Sequence, residues 1–465
     1  MHRTVFAWSL LGFLAFALAA EPIRAQSAES FPSPSPEAQA FGGEAGADLG
    51  LGKVGEDWFL GLVLRAGFAF DKLMVNLQVP LRFRVVDNKP TNGSVLREED
   101  WDEISDYFRV IRSIQWSKPG DVFYARVGEL AASMGNATLM NNYINVIDID
   151  HFQLGLDTEL NLEFGGAQVV LDNFADPEVF GLRLYARPWA FVDAESFWVN
   201  WAVGSSLIVD AGAPLSTKLD ADGSPRVDEG NTLDVRRSAV FAWGLDNSFR
   251  VFENELLRVT PYMDHNVLIA QDAGYGFHLG VLSELLLPAD NSISLRLEYQ
   301  FSGADYLPQY FDTLYELHRV RHPLQVDGVA ASKQQVLDEL DEEGHGFMGQ
   351  LVASILGYLT ITGQYRGSTR PNDNDLLLQL KLPSLDRIKL AVVYSKFQFA
   401  SAADAFDLDN ALFTAYLRGN VWLFLDVIVS FSRQWQLVTN AQDSDYGEYR
   451  SADEWNVGFG ASIPF

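Results

Sequence analysis

The chain has 465 residues, with 34 Lys and Arg against 62 Asp and Glu, a formal net charge of −28 and no cysteine. That charge argues against nucleic acid as a partner, and the lack of thiols excludes disulfides, thiolate metal sites, cysteine nucleophiles and a cysteine-linked lipid anchor. A mean hydropathy near zero, with 32 Phe, 16 Tyr and 11 Trp, is too polar for a helical membrane protein and aromatic enough to furnish interfacial girdles.

Arg3 precedes an apolar run over residues 5–20, and Ala19, Ala20 and Ala25 offer cleavage points, so residues 1–25 read as a secretory signal peptide. Residues 26–43, rich in Ser, Pro, Ala and Glu, read as a flexible leader. From residue 44 to residue 465 the pattern is that of one domain. No run of about 18 apolar residues follows the signal segment, so any membrane crossing is made by strands.

A weak first strand falls near 44–52. The next carries Trp58, Leu60, Leu62, Leu64, Ala66, Phe68 and Phe70 on one face, and Asp71-Lys72 turns the chain. A third presents Leu73, Val75, Leu77, Val79, Leu81, Phe83 and Val85 to one side and Asn76, Gln78, Arg82 and Arg84 to the other. Period-two alternation means that each strand meets two different environments. Over 151–164 one face holds Phe152, Leu154, Leu156, Leu160, Leu162 and Phe164, and the other His151, Gln153, Asp157, Glu159, Asn161 and Glu163. Two short strands are expected at 167–173 and 178–187, and stronger ones near 236–250, 255–268, 275–287, 292–302, 357–367, 387–399 and 421–435. The chain closes on Trp455, Val457, Phe459, Ala461, Ile463 and Phe465.

The connections alternate in length. Long ones at 87–104, 131–150, about 210–235, 303–345 and 436–453 fall on one side if every strand reverses direction. Short ones at Pro119-Gly120, Gly165-Gly166, 252–255, 288–291 and 418–421 fall on the other. A membrane barrel sorts its loops this way, whereas a soluble sandwich has no reason to. The expected fold is therefore an all-β, antiparallel, up-and-down transmembrane barrel of about 18–20 strands with long external loops. An even count follows if both termini lie on one side.

A final strand ending in Phe465, with Trp455, Val457, Phe459 and Ile463 at alternating positions before it, resembles Gram-negative outer-membrane β-barrel proteins, and porin-like proteins are the nearer analogy because no plug domain precedes the strands. The resemblance implies an outer-membrane location. It also implies recognition of the terminal strand by the outer-membrane assembly machinery, and a lipid-facing exterior.

With the apolar faces toward lipid, the lumen receives Asn76, Gln78, Arg82, Arg84, Arg126, His151, Asp157, Glu159, Glu163, Arg183, Arg187, Arg296, Glu298 and Asp426. Opposed rows of both signs suit a diffusion pore. The competing expectation is that these charges pair across neighbouring strands and simply fill the barrel. Residues 135–150, with Leu139, Met140, Tyr143, Ile144, Val146 and Ile147, are too apolar for an exposed loop and are expected to fold into the mouth. In 303–345, short helices are expected, one with Val336, Leu337 and Leu340 on a single face. Loops of this length act as a cap, a gate or a site of ligand capture.

Asp220, Asp222 and Gly223 match part of a calcium loop, but the third ligand position and the distal Glu are missing. His318 and His322 are spaced for one helical turn but lack the Glu of a zinc-protease helix. The histidines have no nucleophile at a telling spacing. The expectation is no enzyme, no metal and no cofactor. It is instead a porin-like channel passing small polar solutes, passively or selectively, through a charged lumen. Two alternatives stand beside it: a surface or structural barrel whose acidic loops bind a partner, and a conduit for polysaccharide export.

Overall fold

A computed structural model describes residues 42–464 except 55–56, 89–93, 103, 147–151, 194, 222–223, 228–232, 321–324, 327–328, 372, 386–387, 402, 407, 409–410, 423 and 439–448. The expected signal peptide and most of the leader, together with His151, Asp222, Gly223, His322, Ile147 and Phe465, lie outside the described residues.

The alternating segments form β1 (Gly42–Val54), β2 (Asp57–Phe70), β3 (Leu73–Val86), β4 (Ile111–Trp116), β5 (Phe123–Gly128), β6 (Gly155–Leu162), β7 (Gly165–Leu171), β8 (Val179–Ala186), β9 (Trp201–Asp210) and β10 (Val240–Phe249). They continue as β11 (Leu257–Ile269), β12 (Ala273–Leu287), β13 (Asn291–Ser302), β14 (Gly344–Ile355), β15 (Leu359–Ser368), β16 (Asn374–Leu385), β17 (Ile388–Phe399), β18 (Ala411–Trp422), β19 (Leu425–Leu437) and β20 (Tyr449–Pro464). Each pairs antiparallel with its sequence neighbours, and β1 pairs with β20 from Glu44↔Pro464 to Lys53↔Trp455. The sheet is thereby a closed barrel of 20 strands.

Closure brings β1 and β20 close at glycines. A Cβ on Gly458 would lie 2.5 Å from the Leu49 carbonyl oxygen and 2.8 Å from the Gly50 Cα, so only glycine fits this seam. At the short-turn rim, Ala289 and Asp290 (φ 61° and 55°) and Leu356 and Gly357 (φ 53° and 66°) adopt paired left-handed conformations. A left-handed pair in so tight a turn matches the twist of the strands it joins.

The apolar faces point outward. Leu64 is 45% exposed, Leu297 51% and Phe459 58%, while inward neighbours such as Val63 and Glu298 are buried. No described helix is long and apolar enough to cross a membrane. The outward faces of the strands carry an exposed apolar belt, the surface that a transmembrane barrel turns to lipid. Leu64 sits near the middle of β2, so Leu64→Arg should cost about 2–4 kcal/mol in urea unfolding from vesicles. Asn76→Arg, on the inner face of β3, should cost far less, and equal costs would contradict the assignment of inside and outside.

The weak strands expected at 44–52, 167–173 and 178–187 are present as β1, β7 and β8. Three details differ from expectation. Gly165 and Gly166 begin β7, and the turn is formed by Glu163 and Phe164. Residues 418–421 belong to β18, and the chain reverses after Trp422. Phe152 and Leu154 do not reach the lipid face: β6 starts at Gly155, and both side chains are buried with Val146 against Phe108, Ile111 and Val127. Alternation alone cannot distinguish a strand face from an extended segment folded inside the barrel.

Candidate functional site

The described residues of three long connections, 87–110, 129–154 and 303–343, run into the barrel. The second and third join along one edge. Asn141 N–H donates to the Phe311 carbonyl (3.0 Å), Phe311 N–H to Leu139 (3.1 Å) and Gln309 N–H to Thr138 (2.9 Å). This parallel pairing satisfies backbone groups that burial would otherwise leave unbonded. Around it, Leu139, Met140, Tyr143, Tyr306, Tyr310, Phe311 and Tyr315 pack against inward residues of the wall, Val179, Ile208, Val240, Ala242 and Leu268. On the opposite wall Ile144 meets Leu377, Val393 and Tyr416, and Leu314 and Leu317 meet Leu412. The two loops form a plug with an apolar core shared with the barrel. The expected helices in the third loop are Tyr315–His318 and Lys333–Asp338, the latter burying Val336 and Leu337 and opened by a capping box at Ser332.

Polar networks pin the plug to the wall. Glu298 on β13 accepts from Arg296 Nη2 (2.5 Å), Gln300 Nε2 (2.7 Å) and the Tyr262 hydroxyl, and faces His278 Nδ1 at 2.8 Å. Asn266 Nδ2 donates to the hydroxyl of plug residue Tyr306 (3.0 Å), which lies 2.8 Å from His278 Nε2. His278 thus bridges the Glu298 carboxylate on the wall to the Tyr306 hydroxyl of the plug. Asp264 on β11 accepts from Asn136 and Thr138 at 2.7 Å each. Near the outer rim Arg319 Nη2 reaches Glu178 (2.5 Å) and Asp210 (3.1 Å), while Tyr315 donates to Asp210 (2.7 Å) and Tyr143 to Glu316 (2.5 Å). The first loop is held by Arg82 of β3, 3.3 Å from Asp100, which also pairs with Arg97 and Arg109.

Half of the residues expected to line a pore face inward but are covered. Gln78, Arg82, Arg126, Arg183, Arg296, Glu298 and Asp426 are all buried. Arg126 donates to the Glu129 carbonyl (2.8 Å) and to Gln115 (3.0 Å), and Arg183 grips Asp246 through Nε and Nη2. Asp426 accepts from Arg418 (2.6 Å) and Asn420 (2.8 Å). Arg84 is 3.3 Å from Asp57, and Asp157 accepts from Tyr124. Neighbouring strands and inserted loops supply partners to these charges, so they fill the interior instead of edging an open lumen. Glu163 lies in the exposed turn after β6, and Arg187 beyond β8 donates to the Leu162 carbonyl (2.7 Å).

Toward the short-turn rim the inner surface is wet. Glu44, Asn76 and Lys389 are exposed there, and Glu159, Asn161, Gln168 and Tyr185 are half-buried and hydrogen-bonded to one another. Lys381 shares the inward parity of the buried Leu377 and Gln379 in β16. The wall residues Asp246, Asp264, Asn266, His278 and Lys381 were not among the expected pore lining. A polar or ionisable residue on the inward face of a strand was the available signal. His318 is buried against Phe397, and among the described residues no group of three His, Cys, Asp or Glu is placed to hold a metal.

No protein-family model and no curated protein matches the chain. Among solved structures, the outer membrane protein OpdK from Pseudomonas aeruginosa aligns over 91% of this chain and 99% of its own, at 10% identity and TM-score 0.31. OmpT of Vibrio cholerae aligns over 92% and 100%, at 8% identity and TM-score 0.31. OccAB4 of Acinetobacter baumannii aligns over 92% and 99%, at 10% identity and TM-score 0.30.

Proposed function

We propose that this barrel is a gated, porin-like channel for small polar solutes, in which the plug sets the conducting cross-section. The supporting observation is the division of the interior: an accessible polar inner surface at the short-turn rim leads to a plug made from the barrel's own loops. Passage needs only a path past that plug, without chemistry on the solute. Purified protein in planar bilayers should give small, fluctuating ion currents. Complete absence of current from folded protein would sink this reading. It would favour the second one, a closed structural barrel with partner-binding loops, which the extent of the plug's apolar core supports. Lys381→Glu places an anion on the inward face of β16, so the reversal potential in a salt gradient should move toward cation preference. No movement would remove this position from the permeation path.

The plug's grip should depend on pH. Burial, reinforced by Glu316, pushes Asp172 in the loop after β7 up to about 7. Both its carboxylate oxygens accept from the Glu178 N–H at 3.2 Å, and Arg319 offsets part of the repulsion. A carboxyl whose folded value is raised stabilises the packed state fully below its unfolded value near 4, and that contribution is lost as pH rises through about 7. Current fluctuations should therefore increase between pH 5 and pH 8. Asp172→Asn should flatten this dependence, and an unchanged pH profile in that variant would assign the effect elsewhere.

A further inference from the structure

The short-turn rim carries one connection unlike the rest. Residues 187–200 separate β8 from β9, whereas the other connections on that rim run to no more than 117–122 and 250–256. Two 3-10 turns, Pro188–Phe191 and Phe197–Asn200, shape this loop. Its aromatic side chains do not enter the barrel. Trp198 stacks on Phe249 at 5.3 Å with the rings within 5° of parallel, Phe197 meets Phe249 edge-on at 5.0 Å, and Phe191 lies 5.4 Å from Phe164. Phe249 stands on the outward face of β10, the parity of Phe241, Trp243 and Leu245. The loop is thus folded against the outside of the barrel and continues the apolar belt beyond the strands. Even so packed, Phe191 is 68% exposed, Val192 74%, Phe197 54% and Trp198 51%.

We propose that residues 187–200 form an interfacial anchor that lies in the lipid leaflet at the short-turn rim, with zwitterionic glycerophospholipid as its partner. Continuity with the lipid-facing belt selects lipid as the occupant. Trp and Phe in such a position suit the headgroup boundary, where apolar rings meet glycerol and water. Charge selects the lipid class. Arg187 is committed to the Leu162 and Glu163 carbonyls, and the remaining ionisable residues of the loop, Asp193 and Glu195, are acidic and exposed. A basic cluster that would seek anionic headgroups is missing from this segment, so binding should not weaken as salt is raised.

The cysteine-free chain permits a direct test with the full-length barrel folded in phosphatidylcholine vesicles. Val192→Cys and Phe191→Cys would each carry an environment-sensitive fluorophore, with Lys72→Cys in an exposed turn of the same rim as the water reference. Lipids bearing a nitroxide near the headgroup should quench the two loop sites several-fold more than site 72, and aqueous iodide several-fold less, at low and high salt alike. Iodide quenching equal to that at site 72 would overturn the proposal by placing the loop in water. Protection from both quenchers, with energy transfer between labelled copies, would overturn it in favour of a second copy of this chain. Using two labelling sites guards against a single substitution that alters loop packing.

Discussion

Phe311→Ala should raise single-channel conductance several-fold while leaving the barrel intact. Phe311 is fully buried at the centre of the plug, packed on Tyr310 at 5.2 Å and Tyr315 at 4.7 Å. Its backbone is the seam between the two inserted loops. Truncating a buried Phe costs about 3–5 kcal/mol. Here the loss falls on plug docking, because the strand ladders that close the barrel do not depend on this side chain. The variant should therefore keep the heat-resistant migration of a folded barrel while its 303–343 loop is cut faster by added protease. Ile104→Ala, at an 80% exposed position in the first inserted loop, should leave both readouts unchanged. Faster cleavage with unaltered conductance would show that the plug does not limit passage.

The second large effect is expected at Glu298, whose carboxylate gathers Arg296, Gln300, Tyr262 and His278 in a buried site. Glu298→Ala leaves the buried Arg296 guanidinium without its counter-charge, which costs about 3–5 kcal/mol. Glu298→Gln retains an acceptor and should cost less. Tyr306→Phe removes the hydroxyl that joins plug to wall through Asn266 and His278, at about 1–3 kcal/mol. The two sites communicate through one imidazole, so urea unfolding of the double variant Glu298→Ala/Tyr306→Phe should deviate from additivity by at least about 0.5 kcal/mol. Strict additivity would show that His278 does not couple the wall to the plug. A Glu298→Ala cost no greater than that of Ser294→Ala, on the same inward face, would show that the pair is not buried in the folded protein.

Much of the barrel was legible from local pattern. Leu73 to Val85 alternating with Asn76 to Arg84 gives β3 and its two faces, and the alternation of long and short connections gives the direction of every strand. The side-chain period of a strand is a local property, so the sequence carries it without reference to distant residues. The apolar content of 135–150 likewise indicated an inserted loop, because water would not tolerate Leu139, Met140, Tyr143 and Ile144 together at a surface.

What lines the interior was less legible, because inward parity places a side chain without naming its partner. Arg183 and Asp246 lie 63 residues apart and Thr138 and Asp264 lie 126 apart, yet both pairs are buried contacts. By itself the sequence determined the two faces of most strands and which loops are too apolar for water, but not where a strand begins, as Phe152, Leu154 and Glu163 show. Only the tertiary structure decided that the inward charges are spent on one another and on a plug. Closing a ring of 20 strands sets which distant side chains meet across the interior, and that geometry exists only once the last strand has paired with the first.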